Sequence, residues 1–251
     1  MPDLTAVTVT FAGCGDAFGS GGRFQACIHL REPGLVAPAL LDCGATSLVA
    51  LRQCGLDPGQ IGVVFVSHLH GDHFGGLPFL ILDGQFSRRT APLVVAGPPG
   101  TQDRLARAME CLFPGSSQVR RRFEVSVTEL PAERTTSVAG LQVSTFQASH
   151  PSGGPALILR LAIGGKVIAY TGDTAWTPAI TEAAAGADLL IAEAYYWDKP
   201  VPHHLRHADL VDHAREITAR RVVLTHMSAD MLARQQQAVH ETARDGLVIT
   251  V

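Results

Sequence analysis

The sequence predicts a mixed α/β fold of two sheets packed face to face with helices outside, an αββα sandwich. Three observations point there. Apolar, β-branched runs recur along the chain and end in clusters of His, Asp, Gly or Thr. Segments with helical spacing fall between those runs, and the strands come in two groups with helices late in each half. Spacing alone leaves two small independent domains open as the alternative. A length of 251 residues suits one large domain or two small ones, and 46% hydrophobic against 17% charged residues supplies a substantial core.

Taken in order, TAVTVTFAGCGDAFGSGGR alternates and then enters a Gly-rich turn, which predicts a first strand from Thr5 onward. Further strands are expected in ALLDCGATS, GVVFVSHLHGDH, LQVSTFQASH, GKVIAYTGDT, ADLLIAEA and RRVVLTH, with the stretch from about Phe123 to His150 rich in strand. Such runs are apolar because they are buried, and their ends turn polar where a sheet opens to solvent. Helices are expected in GATSLVALRQCG, where Leu48, Leu51 and Cys54 share a face and Gly55 ends the run, and in FGGLPFLILD, TQDRLARAMECLF, TPAITEAAAG and HADLVDHAREITA.

Composition removes several classes of function. No stretch approaches the roughly 18–20 apolar residues of a membrane span. The N-terminus has no basic segment followed by an apolar core, so a cytoplasmic location is expected. The five cysteines (Cys14, Cys27, Cys43, Cys54, Cys111) are odd in number and lack CxxC spacing, which predicts free thiols rather than disulfides or a thiolate metal site. Formal net charge is −3 and the pI is about 6.4, unlike a protein that grips nucleic acid through phosphates. The one dense basic run, Arg120 to Arg122, reads as a solvated face.

The chemistry is concentrated in SHLHGDHFGG, directly after the strand-like GVVFV. Imidazole and carboxylate are ligands that suit zinc, iron or manganese. Alternation puts His68 and His70 on one side of an extended segment. Asp72 and His73 follow Gly71, where the chain can turn and offer a second pair in another direction. One ion needs about four ligands, so two ions need donors from elsewhere. His150, Asp173 and His226 all stand at strand ends and supply them. A carboxylate such as Asp173 can bridge two ions about 3.5–4 Å apart. His29, His203, His213 and His240 are read as structural or surface histidines.

These residues resemble the HxHxDH marker of the metallo-β-lactamase superfamily, standing here as His68, His70, Asp72 and His73. The resemblance extends over nearly the whole chain. It implies one αββα hydrolase domain over residues 1–251 with a dinuclear site: His68, His70 and His150 on one metal, Asp72, His73 and His226 on the other, and Asp173 bridging. The expected cofactors are two divalent ions, zinc first, with manganese or iron as alternatives. The opening FAGCGDAFGSGGRFQ is similar to the first motif of the ribonuclease Z and phosphodiesterase branch. That branch places a proton-transfer histidine about twenty residues before the last ligand, which matches His204, with His207 the competitor. The resemblance also implies that Asp42 supports a metal-binding histidine.

Asp72 is expected to orient the attacking water besides binding metal, and His204 to protonate the leaving oxygen. Transfer-RNA-processing members of the bacterial type carry a long inserted arm between the positions of His150 and Asp173. Only 23 positions separate these residues here. The expected reaction is therefore hydrolysis of a small phosphodiester. RNA cleavage of the ribonuclease Z kind and hydrolysis of a carboxylic ester, lactone or thioester are the alternatives. A small-molecule substrate is expected ahead of nucleic acid, no membrane is expected as a partner, and a homodimer is the commonest oligomer.

Overall fold

The computed structural model describes residues 6–251; residues 1–5, where the sequence places the start of the first strand, lie outside the described residues. The apolar runs pair into two seven-stranded sheets. In spatial order the first contains β14 (Leu247–Thr250), β1 (Thr8–Gly13), β2 (Cys27–Arg31), β3 (Ala39–Leu41), β4 (Val63–Phe65), β5 (Leu93–Gly97) and β6 (Val125–Glu129). The second contains β13 (Glu241–Thr242), β12 (Val222–Thr225), β11 (Leu189–Glu193), β10 (Lys166–Tyr170), β9 (Leu157–Ile163), β8 (Leu141–Gln147) and β7 (Arg134–Val138). Neighbours from β3 to β6 and from β10 to β13 run parallel, and the remaining pairs are antiparallel.

Side-chain alternation assigns each residue to a layer. Val63 and Phe65 point between the sheets, and Val64 and Val66 point to the helices of the first outer layer. Leu189 and Ile191 likewise face the first sheet, while Leu190 and Ala192 face the second helical layer. Phe11, Ile28, Leu159 and Tyr170 therefore meet in one interior cluster drawn from both sheets. Over the first sheet lie α1 (Ser47–Gln53), the single turn α2 (Gly71–Phe74), α3 (Leu77–Phe86) and α4 (Thr101–Leu112). Over the second lie α5 (Pro178–Ala184), α6 (His207–Asp212) and α7 (Ala229–Arg234). The result is the expected αββα sandwich.

Several local outcomes differ from the sequence pattern, which does not single out β2, β5, β9, β13 or β14 as strands. The helix expected over HADLVDHAREITA ends at Asp212, because His213 turns its ring onto Trp176 (centroids 3.9 Å apart, 8° between planes) and pairs with Glu216. The short α7 carries too little apolar periodicity to be read from sequence. The five cysteines are free. Among the described residues, no helix is long and apolar enough to cross a membrane.

The parallel strands set where chemistry can occur. Their C-terminal ends open on one edge of the sandwich, and the loops after β3, β4, β10, β11 and β12 emerge there. Between His150 and Asp173 the chain is occupied by β9 and β10, joined through Gly164 and Gly165, both left-handed (φ 56° and 74°). Two left-handed residues make the tightest hairpin turn.

Leu159, fully buried between the sheets, offers a test of the interior. Leu159→Ala should lower unfolding free energy by about 3 kcal/mol in urea melts; a loss below ~1 kcal/mol would show that the two sheets do not depend on this packing.

Candidate metal centre

Each candidate ligand is placed by a strand end. After β4 the chain bends at Ser67 and passes His68 to His70, whose own backbone is extended, then turns into α2, which redirects Asp72 and His73. His150 follows β8, Asp173 follows β10 and His226 follows β12. The tight approach of Gly172 is needed because a Cβ there would lie 2.7 Å from the Ser67 Cβ, and its φ is +54°.

The donors form two groups that share Asp173. His73 Nε2 lies 3.3 Å from Asp72 Oδ2, 3.2 Å from Asp173 Oδ1 and 3.3 Å from His226 Nε2. His226 Nε2 lies 3.2 Å from Asp72 Oδ2 and 3.5 Å from Asp173 Oδ1. Donors held tetrahedrally at 2.0–2.1 Å from one ion sit about 3.3 Å apart, so this group has the dimensions of a metal cage. In the second group His150 Nε2 is 3.1 Å from His70 Nδ1. Asp173 Oδ2 lies 3.9 Å from His68 Nε2 and 4.0 Å from His150 Nε2. One oxygen of Asp173 thus faces each group. His68 Nε2 and Asp173 Oδ1 are buried without a hydrogen-bond partner, which an ion between the donors would satisfy. The residues expected as ligands are brought together, in the groupings the resemblance implied.

The other ring nitrogen of three of these histidines is hydrogen-bonded, which fixes orientation and tautomer. His73 Nδ1 meets Asp42 Oδ2 at 2.6 Å, His68 Nδ1 meets Ser67 Oγ at 3.1 Å, and His150 Nδ1 meets the His203 carbonyl at 2.9 Å. His226 Nδ1 faces Glu193 Oε1 at 3.3 Å. Asp42 therefore takes its expected place beside a candidate ligand.

The same buried Glu193 holds His204, with Nδ1 to Oε1 at 2.5 Å, and its second oxygen accepts from the backbone N–H groups of Thr174 and Leu205. Glu193 belongs to a further acidic and imidazole grouping with Asp173, His204 and His226. With Oε1 in hydrogen-bond contact with His204 and Oε2 occupied by two backbone N–H groups, Glu193 reads as a support and not a ligand. Sequence reasoning missed it, although its place at the end of LLIAE parallels that of Asp42 after ALL. His204 Nδ1 comes within 3.8 Å of Asp173 Oδ2. His207 instead stacks on Trp197 (4.0 Å) and accepts from the Val239 N–H, so the geometry separates the two competitors.

Electrostatics divide the groups. Burial and the neighbouring imidazoles lower the pKa of His68 and of His70, which keeps them neutral donors. Burial opposes charge on His73 and His226, yet Asp173 and Asp72 outweigh it, raising His73 well above its ordinary value and His226 to about 10. Asp72 and Asp173 are held low by those imidazoles against the cost of burial. This end of the site demands positive charge, which a divalent cation supplies in place of protons.

A four-layer sandwich with a shared His/Asp centre at its strand ends defines the class: a metal-dependent hydrolase of the metallo-β-lactamase kind. The chain belongs to the β-lactamase superfamily, whose domain model matches residues 39–227, and falls in the ribonuclease Z and phosphodiesterase branch. It is 26% identical to a ribonuclease Z of Methanothermobacter thermautotrophicus, over 96% of this chain and 92% of that one. It superposes on the human short-form tRNase Z with a TM-score of 0.77 and 28% identity, covering 96% and 98% of the two chains. A diphosphatase of the PhnP family shares the fold at a TM-score of 0.76, with 20% identity over 97% of each chain.

Removing the carboxylate that holds His73 gives a direct test of the centre. Asp42→Ala should weaken divalent-metal affinity by about 10–100-fold in chelator competition. Affinity equal to the parent protein would show that orientation of His73 does not govern binding.

Proposed function

We propose that this protein is a dinuclear phosphodiesterase acting on a small phosphodiester. The observation that carries the reading is the two-faced Asp173, with one oxygen toward His68 and His150 and the other toward His73 and His226. In this proposal His68, His70 and His150 would hold one ion and Asp72, His73 and His226 the second, with Asp173 shared between the two donor groups. Nitrogen and oxygen donors without thiolate suit zinc, with manganese and iron also compatible. When bound, the ions supply Lewis acidity, bringing water toward ionisation at neutral pH and offsetting charge on the phosphoryl group.

The chain's own groups supply orientation and a proton. Asp72 orients the attacking water. Glu193 fixes His204 through Nδ1, which leaves Nε2 to face the substrate. Burial opposes the charged form of His204, but the hydrogen bond and charge of Glu193 raise its pKa. This favours the protonated imidazole that general-acid work needs. The water oxygen forms the new P–O bond, the P–O bond to the leaving group breaks, and the leaving oxygen takes the proton from His204. The proton released by water restores the acid.

The short interval between His150 and Asp173 bears on substrate size. The tight β9–β10 hairpin leaves no inserted arm there. The match to the archaeal ribonuclease Z runs over 293 aligned positions against a chain of 251 residues, so that relative carries stretches this chain lacks. Together with the net charge of −3, this favours a small substrate. The ribonuclease Z names of the relatives support RNA cleavage as the second reading.

Purified metal-loaded protein should hydrolyse bis(p-nitrophenyl) phosphate in preference to a p-nitrophenyl carboxylic ester; the reverse preference would move the function to carbon-centred hydrolysis. His204→Ala should lower kcat on the diester about 100-fold with metal content retained, whereas loss of metal would make His204 a ligand. Saturable RNA affinity that falls steeply with salt would favour the nuclease reading.

A further inference from the structure

Arg104, at the end of the first turn of α4, reaches the two loops that carry His68, His70 and His150. Its Nη1 lies 3.5 Å from the carbonyl of Leu69, the residue between His68 and His70. Its Nη2 lies 3.0 Å from the place a Cβ would take on Gly153, in the loop that begins at His150. The half-buried guanidinium therefore stands between the loop after β4 and the loop after β8.

The nearby acids are engaged elsewhere. Asp103 pairs with Arg107 at 3.0 Å, and Glu129 Oε1 accepts from the Gly100 and Gln102 N–H groups, which also fills the N-terminus of α4. Among the described residues Arg104 forms no ion pair, and the long contact to Leu69 is its one hydrogen bond. Other buried or half-buried arginines behave differently. Arg89 donates to the carbonyls of Ala91, Ile61 and Pro92, and Arg206 to Asp209 and the Asp198 carbonyl. A guanidinium carries five N–H donors, and leaving most of them unfilled in a half-buried position is costly unless an acceptor arrives from outside.

The loop facing Arg104 adds donors of its own. Ser152 is buried and its Oγ donates to the Gly154 carbonyl at 3.1 Å, closing a turn in which Gly153 is left-handed (φ 73°). Among the described residues, the N–H groups of Gly153 and Gly154 donate to no backbone carbonyl. A side chain at Gly153 would press on the guanidinium, so glycine keeps the gap between loop and arginine open. Uncommitted backbone N–H groups beside a planar guanidinium form a donor set suited to an oxyanion.

We infer that Arg104 and the Gly153–Gly154 turn form an anion subsite, which takes a phosphate carried by the substrate in addition to the one at the metal centre. The inference rests on the proposed phosphodiesterase activity for the role of the subsite, though not for anion binding. The arginine fork matches two phosphate oxygens at once. Arg104 is then a specificity-determining residue, selecting a diester that bears a second, terminal phosphate over the same diester without it.

Two readouts test this with the metal-loaded full chain. In calorimetric titration, the best of a series of alkanediol bisphosphates, from propane to hexane, should bind about tenfold more tightly than the alkyl monophosphate of the same chain, the order of one charge-assisted hydrogen bond. Arg104→Ala should bring the two affinities within about twofold of each other. Gly153→Ala should narrow the gap as well, because the added methyl displaces the guanidinium while its charge remains. Metal content should be unchanged in both variants. Equal affinities in the parent across the series, or a gap untouched by Arg104→Ala, would overturn the subsite. Inorganic phosphate that binds alongside the alkyl monophosphate, and is lost in Arg104→Ala, would give the site to a free anion and overturn its assignment to the substrate. The second readout compares kcat/KM for the p-nitrophenyl diester of the best-binding chain with and without its terminal phosphate. A preference of about tenfold for the phosphorylated ester is expected, abolished in Arg104→Ala; no preference in the parent would overturn the selective role. A bisphosphate preference that responds to the variants without hydrolysis of either ester would remove the phosphodiesterase reading and leave the anion subsite standing.

Discussion

The buried carboxylate of Asp42 joins the two sheets at the point where chemistry is proposed. Its Oδ1 accepts from the Ser67 N–H, and its Oδ2 accepts from Ser67 Oγ, Tyr170 Oη and His73 Nδ1 at 2.6–2.8 Å. Ser67 follows a strand of the first sheet and Tyr170 ends a strand of the second. A carboxylate taken wholly out of water is costly unless its lone pairs are filled, and here four donors fill them. Burial and the charge of Asp42 raise the Tyr170 pKa well above its ordinary value, so the phenol remains a donor. Separation of the sheets at this edge would strand that charge, so the alignment of the two sheets and the position of His73 are set by the same group.

Glu193 plays the corresponding part on the second sheet. It ends β11, is fully buried, and links His226, His204 and two backbone N–H groups. Among the described residues, three of the six non-glycine positions with positive φ lie around these supports. Asp42, His203 and His226 all adopt left-handed backbone (φ 58°, 64° and 56°) although none is glycine. Such positions cost about 1–3 kcal/mol each and persist only where surrounding contacts over-determine them. At Asp42 and His226 the turn comes directly after a strand and swings the side chain over the sheet edge, where a regular extended residue could not reach.

The same edge governs what can approach. The centre draws its donors from loops of both sheets, and the two loops that continue past it, after β10 and β11, frame an open cleft at His204. The β9–β10 connection, which could have extended the surface away from the centre, closes instead in a two-residue turn. Affinity for a substrate must then come from the walls next to the metal centre.

Much of this was legible in the chain. The layer to which Val63, Val64 and Phe65 belong follows from alternation, because a strand buried on both faces has no polar positions to spare. The pairing of His68 with His70 and of Asp72 with His73 follows from an extended segment interrupted at Gly71. These are local effects, carried by neighbouring residues. Glu193 escaped notice because a single glutamate at a strand end has no sequence signature; its role depends on His204 and His226, which are distant in the chain. The truncation of α6 at His213 depends on Trp176, and the choice of His204 over His207 depends on which ring turns toward Asp173. The sequence by itself pointed to the two-sheet class and to a candidate donor set, since periodicity and clustering are properties of neighbouring residues. Only the tertiary structure decided which oxygen of Asp173 faces which histidines, what holds each imidazole and what lines the cleft, because those contacts join segments that meet only after the sheets have packed.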